Sequence, residues 1–285
     1  MTARLDRVLV AHARNCFQSQ KHLSENWRPF GFAYEPDFDD ACVESDGFIG
    51  VLERFGATVE VLPKELCTGL DSLYVHDPVV TVDGGFVTVR MGKDLRKNEP
   101  QSIGKFLQDN DLKVTYFEAA GALLEGGDIV WLNPDLPAVG EGYRSNAEGI
   151  AELKRICGDS IQEVIPVSLP HWNGPADILH LMSMVSPLAH RKLLVYSRLL
   201  PVTFRNMLLD MEFELLEVPE DEYDSMGCNV LALDENTCLI EEGNVKTAAL
   251  LSSSGFEVLT YSGKQISLAG GGGPTCLTRP LWRSS

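Results

Sequence analysis

Five positions far apart in this chain hold groups that could do chemistry together: the thiol of Cys276, the imidazole of His180, and the carboxylates of Glu125, Asp77 and Asp128. A thiolate is a strong nucleophile, an imidazole can deliver and recover a proton near neutral pH, and a carboxylate can orient that imidazole or pair with a cation. These are the parts of a cysteine hydrolase with a cationic subsite. Cys276 follows Gly270-Gly271-Gly272-Gly273-Pro274-Thr275, and glycine lets a backbone approach a ligand without a Cβ in the way. Asp77 closes Asp71-Ser72-Leu73-Tyr74-Val75-His76-Asp77, Glu125 and Asp128 bracket a glycine pair in Leu124-Glu125-Gly126-Gly127-Asp128-Ile129, and His180 sits in Leu179-His180-Leu181-Met182-Ser183. Taken singly, each has a plainer reading: a small buried hydrophobe for the cysteine, a core histidine, a solvated acidic turn. Arg90, Arg96 and Arg144 are the cations nearest these motifs in sequence, and an arginine alone reads as a surface ion pair.

Other chemistries lack their signatures. The glycine run is not followed by the Lys-Ser/Thr of a phosphate-binding loop, and no Gly-x-Gly-x-x-Gly lies between a strand and a helix. There is neither a Cys-x-x-Cys nor a His-Glu-x-x-His, and His171 with His180 has no recognised ligand spacing, so neither a metal nor a cofactor is expected.

The elements that must position these groups recur along the chain. Residues 79–90 read as a hairpin about Asp83-Gly84-Gly85, 99–107 as a helix and 113–117 as a strand. The order returns with a strand at 128–132, a helix at 146–157 and a strand at 163–168. It returns again with an apolar run at 178–185, a strand at 192–196, a helix at 202–211 and a strand at 213–218. In the fourth unit, strands 229–233 and 237–240 flank a turn, helix 245–251 ends at Gly255, and 256–261 is a strand. The fifth is split across the termini: strand 275–278 pairs with 8–11, followed by helix 41–55 and strand 59–62. Five units of roughly fifty residues, the last completed by the first strand, describe a closed α/β ring. An open α/β sheet is the alternative that spacing leaves standing. In the ring, the residues that begin the inner strands, Asp77, Asp128, His180, Asn229 and Cys276, would converge at one end of the axis.

With 285 residues and 44% hydrophobic content the chain can bury its own core. A net charge of −17 repels phosphate backbones and anionic headgroups, so neither nucleic acid nor a membrane is expected as partner, while a cationic small molecule is favoured. The opening apolar run is too short for a signal-peptide core, and no stretch approaches the roughly 18 apolar residues that span a bilayer. Seven scattered cysteines without paired spacing fit a reduced, cytoplasmic protein.

Together these motifs resemble the pentein, or guanidino-group-modifying, superfamily, most of all the dimethylarginine dimethylaminohydrolases and more distantly arginine deiminases and amidinotransferases. The family's Asp-Ser-x-Phe-x-Glu-Asp resembles Asp71 to Asp77, its acid-Gly-Gly-Asp resembles Glu125 to Asp128, its Leu-His-Leu-Lys-Ser resembles Leu179 to Ser183, and its C-terminal cysteine falls on Cys276. The resemblance implies a single catalytic domain over 1–285, a five-bladed α/β propeller of ββαβ units with pseudo-fivefold symmetry closed by the termini. It implies Cys276 as nucleophile, His180 as acid and base, Glu125 as its orienting carboxylate, Asp77 with Asp71 and Asp128 on the substrate, and Arg96 and Arg144 on a substrate carboxylate. The implied reaction is cleavage of the guanidino C–N bond of arginine or Nω-methylated arginine to citrulline, without a cofactor, in a homodimer. Deiminase, dihydrolase and amidinotransferase chemistry would use the same residues. A binding protein that has kept the fold would not be expected to keep them together. The sequence departs from the pattern at His76, where the family has Glu, at Met182, where it has Lys or Asp, and at Gly271, where it has an acid. Arg14, Asn15 and Cys16 follow the first strand at the position of a lid.

Overall fold

The computed structural model describes residues 2–175 and 179–284. In chain order the elements are β1 (Arg4–Val10), α1 (Ala13–Cys16), α2 (Gln20–Phe30), α3 (Phe38–Phe55), β2 (Thr58–Val61), β3 (Val79–Val82), β4 (Gly85–Thr88), α4 (Glu99–Asp109), β5 (Val114–Tyr116), β6 (Ile129–Asn133), β7 (Leu136–Glu141), α5 (Ala147–Cys157) and β8 (Ile165–Ser168). Then come β9 (Val185–Ala189), β10 (Lys192–Val195), α6 (Val202–Asp210), β11 (Glu214–Glu217), β12 (Leu231–Ala232), β13 (Thr237–Glu241), α7 (Val245–Ser253), β14 (Glu257–Tyr261) and β15 (Thr278–Ser284).

The strands form five three-stranded sheets, ordered β15-β1-β2, β3-β4-β5, β6-β7-β8, β9-β10-β11 and β12-β13-β14. In each, the first strand runs antiparallel to the middle one and the third runs parallel to it. A parallel neighbour needs a long crossover: α1, α2 and α3 lie in the one from β1 to β2, and a single helix, α4 to α7 in turn, lies in each of the others. Middle strands are buried on both faces, so β13 carries five buried residues in a row instead of an alternating pattern. Helix ends are set locally: the Asp37 carboxylate accepts from Asp40 N at 2.9 Å to start α3, and Gly56, at φ 102°, ends it in the left-handed region.

The fifth sheet joins the two ends of the chain, since β1 pairs with β15 on one side and β2 on the other. The expected pairing of 275–278 with 8–11 is displaced: Val10 faces Thr278, and the ladder runs on from there to Ser284 opposite Arg4. Cys276 therefore lies in the turn that enters β15, free of the ladder. Two elements escape sequence reading. β7, to which the sequence reading assigned no element, contains Pro137 and Gly140, residue types that strands disfavour, yet Pro137 sits opposite Trp131 beside a bulge, where a missing N–H is tolerated. In α2, Pro29 falls in the last turn of a helix opened by Ser19, whose hydroxyl accepts from His22 N at 3.2 Å. Residue 178 of the run expected at 178–185 lies outside the described residues, and the rest forms a 3-10 turn, Leu181–Ser183, and the start of β9.

No helix among the described residues is long and apolar enough to cross a membrane. Because β1 pairs with β15 on one side and β2 on the other among the described residues, a chain ending at Leu277 leaves one edge of β1 unpaired and should lose cooperative unfolding. Thermal denaturation followed by circular dichroism checks this, and a sharp transition near that of the full chain would contradict it.

Candidate active site

Three turns bring the candidate residues together. Leu70–Leu73 and the following stretch lead Asp77 into β3, Gly126–Asp128 leads into β6, and Leu181–Ser183 leads into β9. Asp77, Glu125, Asp128 and His180 are all buried. His180 Nε2 shares a proton with Glu125 Oε2 across 2.7 Å, which leaves Nδ1 facing Asp77 Oδ1 at 3.9 Å. The imidazole thus lies between two carboxylates. Gly127 permits this: a Cβ there would lie 2.6 Å from His180 Nδ1 and 2.8 Å from Asp77 Oδ1.

Every oxygen in the cluster is spoken for. Glu125 also accepts from Gly92 N at 2.9 Å, Lys93 N at 3.4 Å and Arg144 Nη1 at 3.0 Å. Asp77 accepts from Arg96 Nη1 at 2.6 Å and Gly127 N at 3.0 Å. Asp128 takes Ser145 Oγ at 2.5 Å and Leu181 N at 3.0 Å, so it fixes the backbone beside His180. Burial alone would push His180 toward neutrality, but the charges of Asp77 and Asp128 and the bonded Glu125 outweigh it and raise its pKa to about 9. Burial likewise opposes ionisation of Asp77 and Glu125. For Asp77 the charges of His180 and Arg96, and for Glu125 those of His180 and Arg144, reverse that and hold both carboxyls below their ordinary range. Asp128 has less help, and burial pushes it up to about 6.

Cys276 stands at the edge of this cluster. Its Sγ accepts from Asn229 Nδ2 at 3.3 Å, and its carbonyl accepts from His76 N at 3.2 Å. Burial, reinforced by the negative charge of Asp77, pushes the thiol up to about 12. The glycine run before it is a packing requirement: a Cβ at Gly272 would lie 2.5 Å from the Tyr74 ring and 3.1 Å from Cys276 Cβ, and one at Gly273 would lie 2.6 Å from Asn229 Cγ.

The model of the eukaryotic N,N dimethylarginine dimethylhydrolase family matches residues 20–283. The chain belongs to this family. It is 26% identical over 239 residues to the N(G),N(G)-dimethylarginine dimethylaminohydrolase of Pseudomonas aeruginosa, covering 84% of this chain and 87% of that one. It is 25% identical over 250 residues to the arginine deiminase of Mycoplasma capricolum, covering 74% and 61%. The fold matches that of the Pseudomonas enzyme complexed with citrulline, at TM-score 0.76, 22% identity and coverage of 96% and 98%. It also matches the N-terminal domain of a cyanobacterial arginine dihydrolase, at TM-score 0.81, 17% identity and coverage of 97% and 98%. As a member of the dimethylarginine dimethylhydrolase family the chain is a hydrolase of guanidino C–N bonds.

The other sequence candidates of this family member are also in the cluster, in company the sequence did not show. Arg96 and Arg144 are buried and turned onto acids: Arg96 bonds Asp77, Glu99 at 2.9 Å and the Tyr74 carbonyl at 2.8 Å, and Arg144 bonds Glu125. Asp71 accepts from Lys93 Nζ at 2.5 Å, and the same ammonium reaches the Phe30 carbonyl at 2.5 Å. Lys93 and the role of Asn229 were missed. The Lys93 side chain bonds groups 22 and 63 residues away, a juxtaposition with no local signature. Asn229 was visible only as the start of an inner strand. Arg14 is exposed while Cys16 is buried with its sulfur 3.1 Å from that of Cys67.

Asp77, Glu125 and His180 each offer one ligand atom within 4.8 Å of the others. Their partners suit proton transfer better than metal binding, because His180 is held protonated between carboxylates and two guanidinium groups share the space. Glu125→Gln should therefore bring the His180 pKa from about 9 down toward the ordinary value near 6.5. NMR titration of the His180 ring reads this, and an unchanged value would show that Glu125 does not hold the proton.

Proposed function

We propose that the chain hydrolyses the guanidino group of free arginine or an Nω-methylated arginine through a covalent intermediate on Cys276, giving L-citrulline and ammonia or an alkylamine. The observation that carries this reading is the His180 imidazole set between two buried carboxylates, Glu125 Oε2 at 2.7 Å and Asp77 Oδ1 at 3.9 Å, with the Cys276 carbonyl bonded to His76 N beside Asp77.

Arginine's guanidinium stays protonated far above neutral pH and is a weak electrophile. Asp77 would take its N–H groups on lone pairs left by Arg96 and Gly127. The bound cation offsets the negative charge that opposes ionisation of Cys276, so substrate itself promotes the thiolate. That sulfur attacks the central carbon and forms the C–S bond. His180 then protonates the leaving nitrogen through Nδ1 as the C–N bond breaks, releasing the amine and leaving an S-alkylthiouronium. Neutral His180 next removes a proton from water, whose oxygen bonds to the same carbon. The C–S bond breaks, thiolate returns, and the product is the urea of citrulline.

Asp128 acts here as a positioning residue, through Leu181 N and Ser145. Arg144, bonded through Nη1 alone, has donors to spare for a substrate carboxylate, whereas Arg96 has each of its nitrogens engaged. Asp71 and the Phe30 carbonyl, now on Lys93 Nζ, have the chemistry for an α-ammonium group. We also read the five sheets as the closed propeller of a single catalytic unit over 1–285. Pairing of β1 with β15 supports that, as does the bond from Leu5 N to Leu233 O, 2.7 Å, which ties the terminal sheet to the β12 region.

Purified protein given arginine, monomethylarginine, asymmetric dimethylarginine and agmatine separately should yield citrulline with ammonia or an alkylamine from the amino acids, and little from agmatine. Mass spectrometry of the products decides. Dimethylamine from the dimethylated substrate supports a dimethylargininase, ammonia from arginine alone a deiminase, ornithine a dihydrolase, and no product from any of the four contradicts the proposal. In the same assay Lys93→Met should lower KM for arginine-type substrates severalfold by vacating Asp71 and the Phe30 carbonyl. An unchanged or higher KM would remove the α-ammonium role from that pair.

A further inference from the structure

A cavity of about 820 Å³ runs along the first strands of the sheets, from Thr275, beside Cys276, to the turns that join the first and second strands; Cys276, His180, Glu125 and Asp77 are not among its lining residues. All five sheets contribute to its wall, through Val80, Trp131, Pro187, Leu231 and Trp282 among others. His76, Gly126 and Met182 also line it, so it is backed by the peptides that carry the candidate catalytic groups. Two of these, His76 and Met182, are positions at which this chain departs from the family pattern.

Arg279 and Arg283 line this cavity from β15, two residues either side of Leu281 and so on the same face of the strand, while a third arginine, Arg191, stands at its mouth. Arg279 is only 5% exposed. Its Nη2 donates to the His76 carbonyl, and its Nε has no acceptor. Arg283 is satisfied by backbone alone, through the carbonyls of Ala3 at 2.6 Å and Ala232 at 2.9 Å. Among the described residues, no carboxylate lies within salt-bridge distance of either guanidinium. This contrasts with Arg96 and Arg144, which are equally buried and each paired with an acid. Burial pushes Arg279 down to about 9, with the charge of Asp77 opposing it from the other side of the His76 peptide. Beside it, burial and the Arg279 charge push His76 down to about 3, and His76 Nδ1 is on the Thr278 carbonyl at 3.0 Å, so that imidazole is neutral and adds no second positive charge. The mouth carries Asp83, Asp111 and Glu235 together with Lys113 and Arg191, all exposed and solvated.

A guanidinium buried without an acid is an unfavourable arrangement that a bound anion would relieve, and beside it the wall is largely apolar, through Val80, Ile129, Trp131, Leu231 and Leu281. We propose that this cavity is a second ligand site, separate from the Cys276 site, which takes a small carboxylate with an apolar body, the carboxylate on Arg279 and the body along Ile129, Trp131 and Leu231. The assignment does not depend on which guanidino substrate the enzyme hydrolyses.

Hexanoate is a suitable probe, with hexanamide as its uncharged counterpart and inorganic phosphate as an anion without an apolar body. Isothermal titration of the full chain should show saturable binding of hexanoate, at least tenfold weaker binding of hexanamide and of phosphate, and the same hexanoate affinity when the Cys276→Ser protein is saturated with arginine. Arg279→Gln should weaken hexanoate at least tenfold. Since that change also removes the bond to the His76 carbonyl, Val82→Trp, which fills the mouth far from Cys276, provides a second test and should abolish binding while leaving turnover unchanged. No saturable binding to the wild-type chain, equal affinity for hexanamide or phosphate, displacement by arginine, or full affinity in a folded Val82→Trp protein would each overturn the proposal.

Discussion

Glu125 is completely buried, and an isolated carboxylate in that position would either be protonated or cost the fold on the order of several kcal/mol. The structure keeps it ionised by surrounding it with the His180 ring, the Arg144 guanidinium and the N–H groups of Gly92 and Lys93. Most of the site follows from that one constraint. His180 is oriented because one nitrogen belongs to Glu125, and it stays protonated because a second carboxylate, Asp77, faces the other. Asp77 in turn needs Arg96, and Arg96 is shared with Glu99, whose carboxyl burial pushes up to about 7. Acids and cations hold each other in a low-dielectric interior, where each is worth more than at the surface.

Such a cluster requires backbone from several sheets to arrive at one place with little room for error. The turns before β3, β6 and β9 and the turn into β15 supply it, and glycine at 126, 127, 272 and 273 allows contacts that any Cβ would block. The last of these turns depends on pairing between the first and last strands of the chain. Cys276 is therefore placed by a ladder that cannot form until both termini are present, which ties completion of the fold to completion of the site.

Much of this was legible in the sequence because it is local. Asp-Gly turns, helix caps and β-rich runs gave the units in order, and Cys276, His180, Glu125 and Asp77 each sat in a short motif with the chemistry its type suggests. What was hidden is what depends on distant contacts. Pro137 and Gly140 disguised a middle strand, because tolerance of proline there depends on a bulge opposite it. Nothing near Lys93 in the chain announces Phe30 and Asp71, and no local pattern shows that Arg96 and Arg144 turn onto acids. The acidless Arg279 was equally silent, since only its burial beside His76 distinguishes it from a surface arginine.

The proposed sulfur–carbon bond would form at Cys276, in a site where burial pushes the resting thiol up to about 12. Acid quenching of the enzyme during turnover, followed by intact mass measurement and peptide mapping, tests it most directly. A thiouronium adduct, equal in mass to substrate less the departed amine, is expected on the peptide containing Cys276, and none in the Cys276→Ser protein. Turnover of substrate by that serine variant at close to the wild-type rate, or an adduct on any other residue, would contradict it.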